Sequence, residues 1–296
     1  MPYFNLQYFN QRLSNTLIGT ILLILTYLFF SVMELTAKEL ALRFNPFLIV
    51  FARYLSQLIL LLIIFNKQFK THLKSNHKPL QILRGALLMI TTCFMFTGLA
   101  YLQFAENISI YMIGPVITTI LAILILKEKI SFTQILVVII GLIGALIIAS
   151  PNKGAFNYAV IFPFLAALCF AFFTISTKFL NTSDSNQTTL LFTAITGTIL
   201  SLPFIIYFWK WPNLNDAILM FCLGFLATAG HFLFIEALKV INASFAAPFV
   251  YLTVLLAAFW GYILYDETPS QSTFIGAFLI ITSGFIITRF KKKNFK

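Results

Sequence analysis

The feature that most constrains this chain is a stretch that occurs twice. Leu28-Phe29-Phe30-Ser31-Val32-Met33-Glu34-Leu35-Thr36-Ala37-Lys38-Glu39-Leu40 returns 140 residues later as Leu168-Cys169-Phe170-Ala171-Phe172-Phe173-Thr174-Ile175-Ser176-Thr177-Lys178-Phe179-Leu180. At that offset Leu28 meets Leu168, Phe30 meets Phe170, Thr36 meets Ser176, Lys38 meets Lys178 and Leu40 meets Leu180. Both copies read as apolar helices that end on a lysine. Further along, Leu126-Lys127-Glu128 answers Tyr265-Asp266-Glu267 at offset 139, and Gly144-Ala145-Leu146 answers Gly284-Phe285-Ile286 at 140. Two apolar helices share letters cheaply, but chance does not keep one register at three separated landmarks. A period near half the length signals duplication of a whole unit. The expected units are residues 1–150 and 151–296.

Each unit belongs in a membrane. Hydrophobic residues make up 60% of the 296 and charged residues only 10%, with 35 phenylalanines. A soluble domain carries about a quarter charged residues. The formal charge of +11 does not point to nucleic acid, because the basic residues lie in short connections and at the tail. Cationic residues kept on the cytoplasmic side of a bilayer are distributed in this way. Cys93, Cys169 and Cys222 sit inside apolar runs without metal or disulfide spacing, so they read as small core residues. No glycine-rich loop runs into Lys-Ser or Lys-Thr, which removes an ATP site, and nothing calls for a metal or cofactor. The first 16 residues lack a small-residue cleavage site, so the first apolar run is expected to stay as an anchor.

A helix needs about 20 apolar residues to cross the hydrocarbon core. Ten such segments fall near 17–38, 46–65, 80–102, 107–126, 132–150, 157–179, 187–209, 216–239, 243–265 and 271–289. The breaks carry turn residues, as in Asn45-Pro46, Lys78-Pro79, Ser150-Pro151-Asn152 and Trp211-Pro212-Asn213. Between 102 and 107 the turn signal nearly vanishes, which predicts a tight joint. With the N-terminus inside, 15 of the 20 Lys and Arg fall on the cytoplasmic side, Arg84 among them. Lys38, Arg43, Lys153 and Lys210 fall outside, and Arg53 lies within a helix. Both termini are therefore expected in the cytoplasm. Five helices per unit then turn the two copies over with respect to each other. The expected fold is all-α and integral to the membrane, ten transmembrane helices in two five-helix inverted repeats, a construction of secondary transporters.

Particular segments carry a family resemblance. Ile82-Leu83-Arg84-Gly85-Ala86-Leu87-Leu88, Lys127-Glu128 closing the fourth helix, Ala247-Pro248-Phe249-Val250-Tyr251 and Gly261 to Pro269 resemble the drug/metabolite transporter superfamily, specifically its EamA-type branch. The resemblance covers nearly the whole chain. Within the branch the pattern is similar to S-adenosylmethionine transporters of intracellular bacteria, which have an acidic residue where Glu34 stands. It implies alternating access in a bacterial inner membrane, with a small-molecule substrate and a coupling proton or counter-substrate as partners beside the lipid bilayer.

Ionisable groups inside the bilayer mark candidate sites, because each costs at least about 2.5–3.5 kcal/mol to insert. Glu34 and Arg53 lie at similar depth near the outer ends of the first two helices. They are expected either to pair with each other or to meet substrate, with Arg53 gripping a carboxylate. His231, mid-way along the eighth helix, is read as a cavity-lining neutral ring, a proton-coupling group or a satisfied core histidine. Tyr111, Tyr251 and Trp260 offer aromatic surface for a planar or cationic metabolite, although Trp260 also suits an interfacial belt. Lys38, Glu128, Lys178, Glu236 and Glu267 stand at helix ends as gating or structural positions, Glu236 beside Lys239 at i,i+3. Gly141, Gly144 and Gly224 suit close helix packing.

A secondary transporter fits these features best. An intramembrane enzyme needs acids and a histidine at one depth, and no such catalytic constellation is found; a channel does not need the duplication. Substrate stays open between S-adenosylmethionine uptake and export of amino acids or related metabolites. The charge count sets a test of topology. In Lys74→Cys and Lys292→Cys variants an impermeant thiol reagent should label only after the membrane is opened, whereas Lys153→Cys should label in intact cells. External labelling at position 74 would overturn the inverted repeat.

Overall fold

A computed structural model describes residues 6–102, 104–149, 158–265 and 271–293. Within them the chain forms helices and no strand. In order these are α1 (Leu6–Ala41), α2 (Pro46–Phe65), α3 (Phe69–His72), α4 (Lys78–Tyr101), α5 (Phe104–Tyr111), α6 (Gly114–Leu124) and α7 (Phe132–Ala149). The second half follows with α8 (Ile161–Leu180), α9 (Asn186–Phe208), α10 (Leu214–Val240), α11 (Ala243–Ala246), α12 (Leu252–Tyr265) and α13 (Gln271–Lys293). Long apolar runs become helices because only helices and closed barrels satisfy every backbone N–H and C=O away from water. Polar residues at the breaks set the starts. Asn45 accepts from Phe47 N at 3.0 Å, Asn213 from Asp216 N at 2.8 Å, and Ser185 from Thr188 N at 3.1 Å. At α7 the cap is reciprocal: Gln134 Oε1 accepts from Ser131 N while Ser131 Oγ accepts from Gln134 N.

Among the described residues, seven helices are long and apolar enough to cross a membrane, rather than the ten drawn from sequence. The expected fourth span, 107–126, is divided into α5 and α6 at Tyr111–Gly114. Pro115 has no N–H to bond the carbonyl four residues back, so the helix cannot run through. Pro248 does the same to the expected ninth span, which becomes α11, a 3-10 turn over Ala247–Tyr251, and α12. The apolar runs at Phe132–Ile147 and Phe274–Ile286 are shorter than a full crossing. The tight joint after α4 is present, with Tyr101 ending one helix and Phe104 opening the next.

The helices pack as one body, with α1 against α10, α2 against α9 and α10, α4 against α8 and α9, and α7 against α13. Two glycines set how close they come. A Cβ on Gly224 would stand 2.5 Å from Gln57 N, so α10 crosses α2 backbone to backbone. A Cβ on Gly144 would stand 2.8 Å from Gly276 O, which fixes α7 against α13.

Off the apolar body, Asp184 ties the turn between α8 and α9 to the start of α4. It accepts from Ser75 Oγ, from Asn76 N at 3.1 Å and from Gln81 Nε2 at 2.8 Å. Partial burial pushes the Asp184 carboxyl up, but these donors together outweigh it and hold the group below the usual carboxylate range. A depressed folded pKa gives stability that is present above the unfolded value and lost as pH falls through the folded one. Asp184→Asn should therefore lower the melting temperature at pH 7 by a few degrees, on the order of 1 kcal/mol. The difference from wild type should shrink as the pH falls below about 4. Equal melting at pH 7 would show that the donors contribute nothing.

Candidate functional site

Half-way along the body the helices part around a cavity of about 730 Å³ of empty space, open at its mouth. Helical spacing brings its walls together. On α1, Tyr27, Phe30, Met33 and Glu34 share one face; on α4, Leu88, Thr91, Thr92, Met95 and Phe96 do the same. Arg53 of α2, Tyr111 of α5, Phe170 of α8 and His231 of α10 close the circle, with Val250 and Thr253 from the other broken helix. The size suits a metabolite rather than an ion.

Arg53 is 1% exposed. Its Nη1 donates to Thr92 Oγ1 at 3.1 Å and its Nη2 to His231 Nε2 at 2.9 Å, while the guanidinium lies 4.5 Å over the Tyr54 ring. Tyr54 Oη also meets Thr92 Oγ1, at 3.3 Å. The Thr92 hydroxyl donates to Leu88 O at 2.9 Å, which leaves its lone pairs for the arginine. Because a guanidinium only donates, His231 Nε2 must be an acceptor and the ring carries its proton on Nδ1. His231 is neutral here, held against Phe30 at 4.7 Å and Phe173 at 5.7 Å. A second proton would set two cations at hydrogen-bond distance. Of the three readings of this histidine, the neutral cavity ring is the one the geometry fits.

Glu34 lines the same cavity but is not paired with Arg53. It makes no hydrogen bond or ion pair with a described residue, since the arginine is already taken up by Thr92 and His231. The α1 helix runs three residues beyond its expected end, to Ala41. Glu34 and Arg53 are therefore both seven residues from a helix end, about 10 Å deep.

Tyr111 faces Phe170 at 6.0 Å in the cavity wall. Tyr251 turns away: its Oη donates to Val138 O at 3.0 Å and its ring fills the space beside Gly141. Trp260 lies outside the lining and donates from Nε1 to Ser31 Oγ at 3.2 Å, joining α12 to α1. The structure thus gathers four of the six candidate binding residues, Glu34, Arg53, Tyr111 and His231.

The helix-end residues do different work. Between α10 and α11 the chain breaks, and two side chains cap the two ends. Lys178 Nζ donates to Leu238 O and Ile241 O, each at 2.6 Å, on the closing end of α10. Glu128 accepts from Ala243 N at 3.0 Å, from Ser244 N at 3.1 Å and from Ser244 Oγ at the opening end of α11. Each charge matches the helix end it faces. Lys127, at φ 52°, makes the turn that aims Glu128 there. Glu236 accepts from Asn186 Nδ2 and pairs with Lys239 at 3.3 Å. Lys38 is half-buried near the end of α1, and Glu267 lies outside the described residues.

Arg84 was misplaced by sequence reasoning. Counted among cytoplasmic residues, it is 0% exposed, seven residues into α4. Its Nε donates to Thr177 Oγ1 at 2.7 Å, its Nη1 to Thr193 Oγ1, and its guanidinium lies 4.3 Å over Phe173. The signal was available, because position 84 falls inside the drawn span 80–102.

With this geometry in hand, relatives can be compared. The EamA-like transporter family is matched twice, over residues 17–150 and 157–289. The chain belongs to the EamA-like transporter family. It is 28% identical over 285 residues to the S-adenosylmethionine uptake transporter of Rickettsia prowazekii (strain Madrid E), covering 96% of this chain and 97% of that one. The S-adenosylmethionine uptake transporter of Rickettsia bellii (strain RML369-C) is 30% identical over 284 residues, covering 96% and 98%. A riboflavin transporter of Vibrio cholerae (serotype O1, strain ATCC 39315 / El Tor Inaba N16961) is 27% identical over 215 residues, 72% of each chain. A protein of known crystal structure shares the fold at a TM-score of 0.80 and 16% identity, over 96% of this chain and 99% of its own. This EamA-like protein is a multi-pass membrane transporter of a small molecule, not an enzyme.

The caps set the prediction for this site. Glu128→Ala should cost about 0.5–2 kcal/mol, as loss of a helix cap does, and lower the melting temperature of the purified transporter. Glu128→Gln keeps an acceptor and should fall between the two. A Glu128→Ala protein that melts like wild type would deny the cap any weight.

Proposed function

We propose that this protein carries S-adenosylmethionine across the bacterial inner membrane by alternating access. The observation that carries the reading is one apolar cavity holding an uncompensated carboxylate, Glu34, and a guanidinium, Arg53, at equal depth. S-adenosylmethionine presents a carboxylate that suits Arg53 and a sulfonium and ammonium that suit Glu34. Its adenine suits the rings of Tyr27, Phe30, Tyr111 and Phe170. The Rickettsia relatives, matched over nearly their whole length, support the same substrate. Riboflavin, carried by the Vibrio relative, has no charge to answer either group.

The two units, 1–150 and 151–296, are proposed to run in opposite directions as five helices each, with both termini cytoplasmic. The repeat offset and the charge distribution support this arrangement. The cavity then lies in the outer half, and the Glu128 and Lys178 caps close the cytoplasmic side. Coupling, to a proton or a counter-substrate, runs through Glu34, because Arg53 keeps His231 neutral.

The test is uptake of labelled S-adenosylmethionine into proteoliposomes. Glu34→Gln and Arg53→Gln should each raise the external KM at least about tenfold, a loss of roughly 1.4 kcal/mol. The decarboxylated analogue should remain sensitive to Glu34→Gln and lose its sensitivity to Arg53→Gln. A folded Glu34→Gln protein with unchanged KM would sink the reading.

A further inference from the structure

The cavity accounts for Arg53 and leaves Arg84 unexplained. Arg84 is fully buried and makes no salt bridge with a described residue. Its printed partners are neutral, namely the hydroxyls of Thr177 and Thr193 and the carbonyl of Thr189 at 3.5 Å. Its Nη2 is buried without any partner. A guanidinium does not shed its proton in response to burial, so the charge and the unused donor both persist. A helix tie between α4, α8 and α9 needs neither.

Arg84 stands directly along α4 from the cavity. Arg84, Leu88 and Thr92 follow at four-residue steps on one stripe, and the last two line the cavity wall. Eight residues carry Arg84 about 12 Å beyond Thr92, toward the cytoplasmic side proposed above. Phe173 fills the space between. Its ring is 0% exposed, lies under the Arg84 guanidinium at 4.3 Å, stacks on Phe170 at 5.5 Å and meets His231 edge-on at 5.7 Å.

The duplication relates the two arginines. Thr193, which accepts from Arg84, is the residue 140 after Arg53. Thr92 and His231, which accept from Arg53, are themselves 139 residues apart. Both guanidiniums therefore bridge the second helix of one half to a third helix, by the same repeat position used once in each half. When two halves exchange conformations, a setting sealed in one state opens in the other.

We propose that Arg84 is a second anchor for the substrate's carboxylate, engaged once the substrate has passed Phe173 toward the cytoplasmic side. The anion leaves Arg53 in the outward-facing state and meets Arg84 in the inward-facing one, so its charge is answered on both sides of the Phe173 plug. This rests on the reading of the substrate as a carboxylate-bearing cation.

Half-saturation is measured from each face of oriented proteoliposomes, with S-adenosylmethionine and its decarboxylated analogue as probes. Arg84→Gln should raise the cytoplasmic-face value for S-adenosylmethionine at least about tenfold and leave the external value within about twofold. The decarboxylated analogue should be unaffected at either face. Arg53→Gln should show the opposite sidedness. An unchanged cytoplasmic value overturns the proposal, and so does an equal rise for both probes, which would make Arg84 a structural tie. If Arg84→Gln does not fold, wild type decides: the cytoplasmic face must prefer S-adenosylmethionine to the decarboxylated analogue, and equal values overturn the proposal. Uptake that depends on Arg53 alone sinks this inference and spares the substrate reading; no saturable S-adenosylmethionine transport by wild type sinks both.

Discussion

Everything in the interior depends on how a guanidinium is kept among apolar helices with no acid beside it. Arg53 and Arg84 are both buried, and both are held by threonine hydroxyls. A threonine on a helix already donates to the carbonyl one turn back, as Thr92 does to Leu88 O and Thr177 to Phe173 O. Its lone pairs are then fixed in direction, ready to accept. Such hydroxyls orient a cation without neutralising it, so the charge stays available to an anion. Because α4 carries both Arg84 and Thr92, that one helix ties α2, α8 and α9 to the wall of the cavity.

Charges elsewhere in the protein are answered, and the contrast gives each its role. At the break between α10 and α11, Lys178 sits on spent carbonyls and Glu128 on spare N–H groups, so both helix ends are completed. Glu236 has Asn186 and Lys239, and Asp216 has Arg43 at 3.1 Å. Glu34 has only the cavity. Structural charges are consumed by their partners, whereas the charges that face empty space are the ones free to recognise something that moves. The breaks themselves come from proline, which cannot complete a helix turn, and they turn Val250 and Thr253 toward the cavity while Tyr251 faces α7.

Much of the site was legible because ionisable residues are costly in apolar helices. Rarity alone singled out Glu34, Arg53 and His231, and all three line one cavity. The same logic failed at Arg84, because counting basic residues by side treats a residue near a helix end as wet, whatever its depth. Tyr251 and Trp260 were singled out as aromatic surface, but an aromatic ring carries no mark of the direction it faces. No sequence signal distinguished Thr92 from the other threonines of a threonine-rich chain; its value comes from where α2 crosses α4.

The sequence by itself determined the class: apolar runs must become helices in a bilayer, and a period held to one residue must reflect two related halves. Those are local and periodic constraints, which a chain carries without being folded. Only the tertiary structure decided that Arg53 bonds Thr92 and His231 rather than Glu34, and that Phe173 separates Arg84 from the cavity. Pairing depends on the rotation of each helix about its axis and on the depth at which it crosses its neighbours. Both are set by close contacts such as Gly224 against the backbone of α2, between residues far apart in the chain.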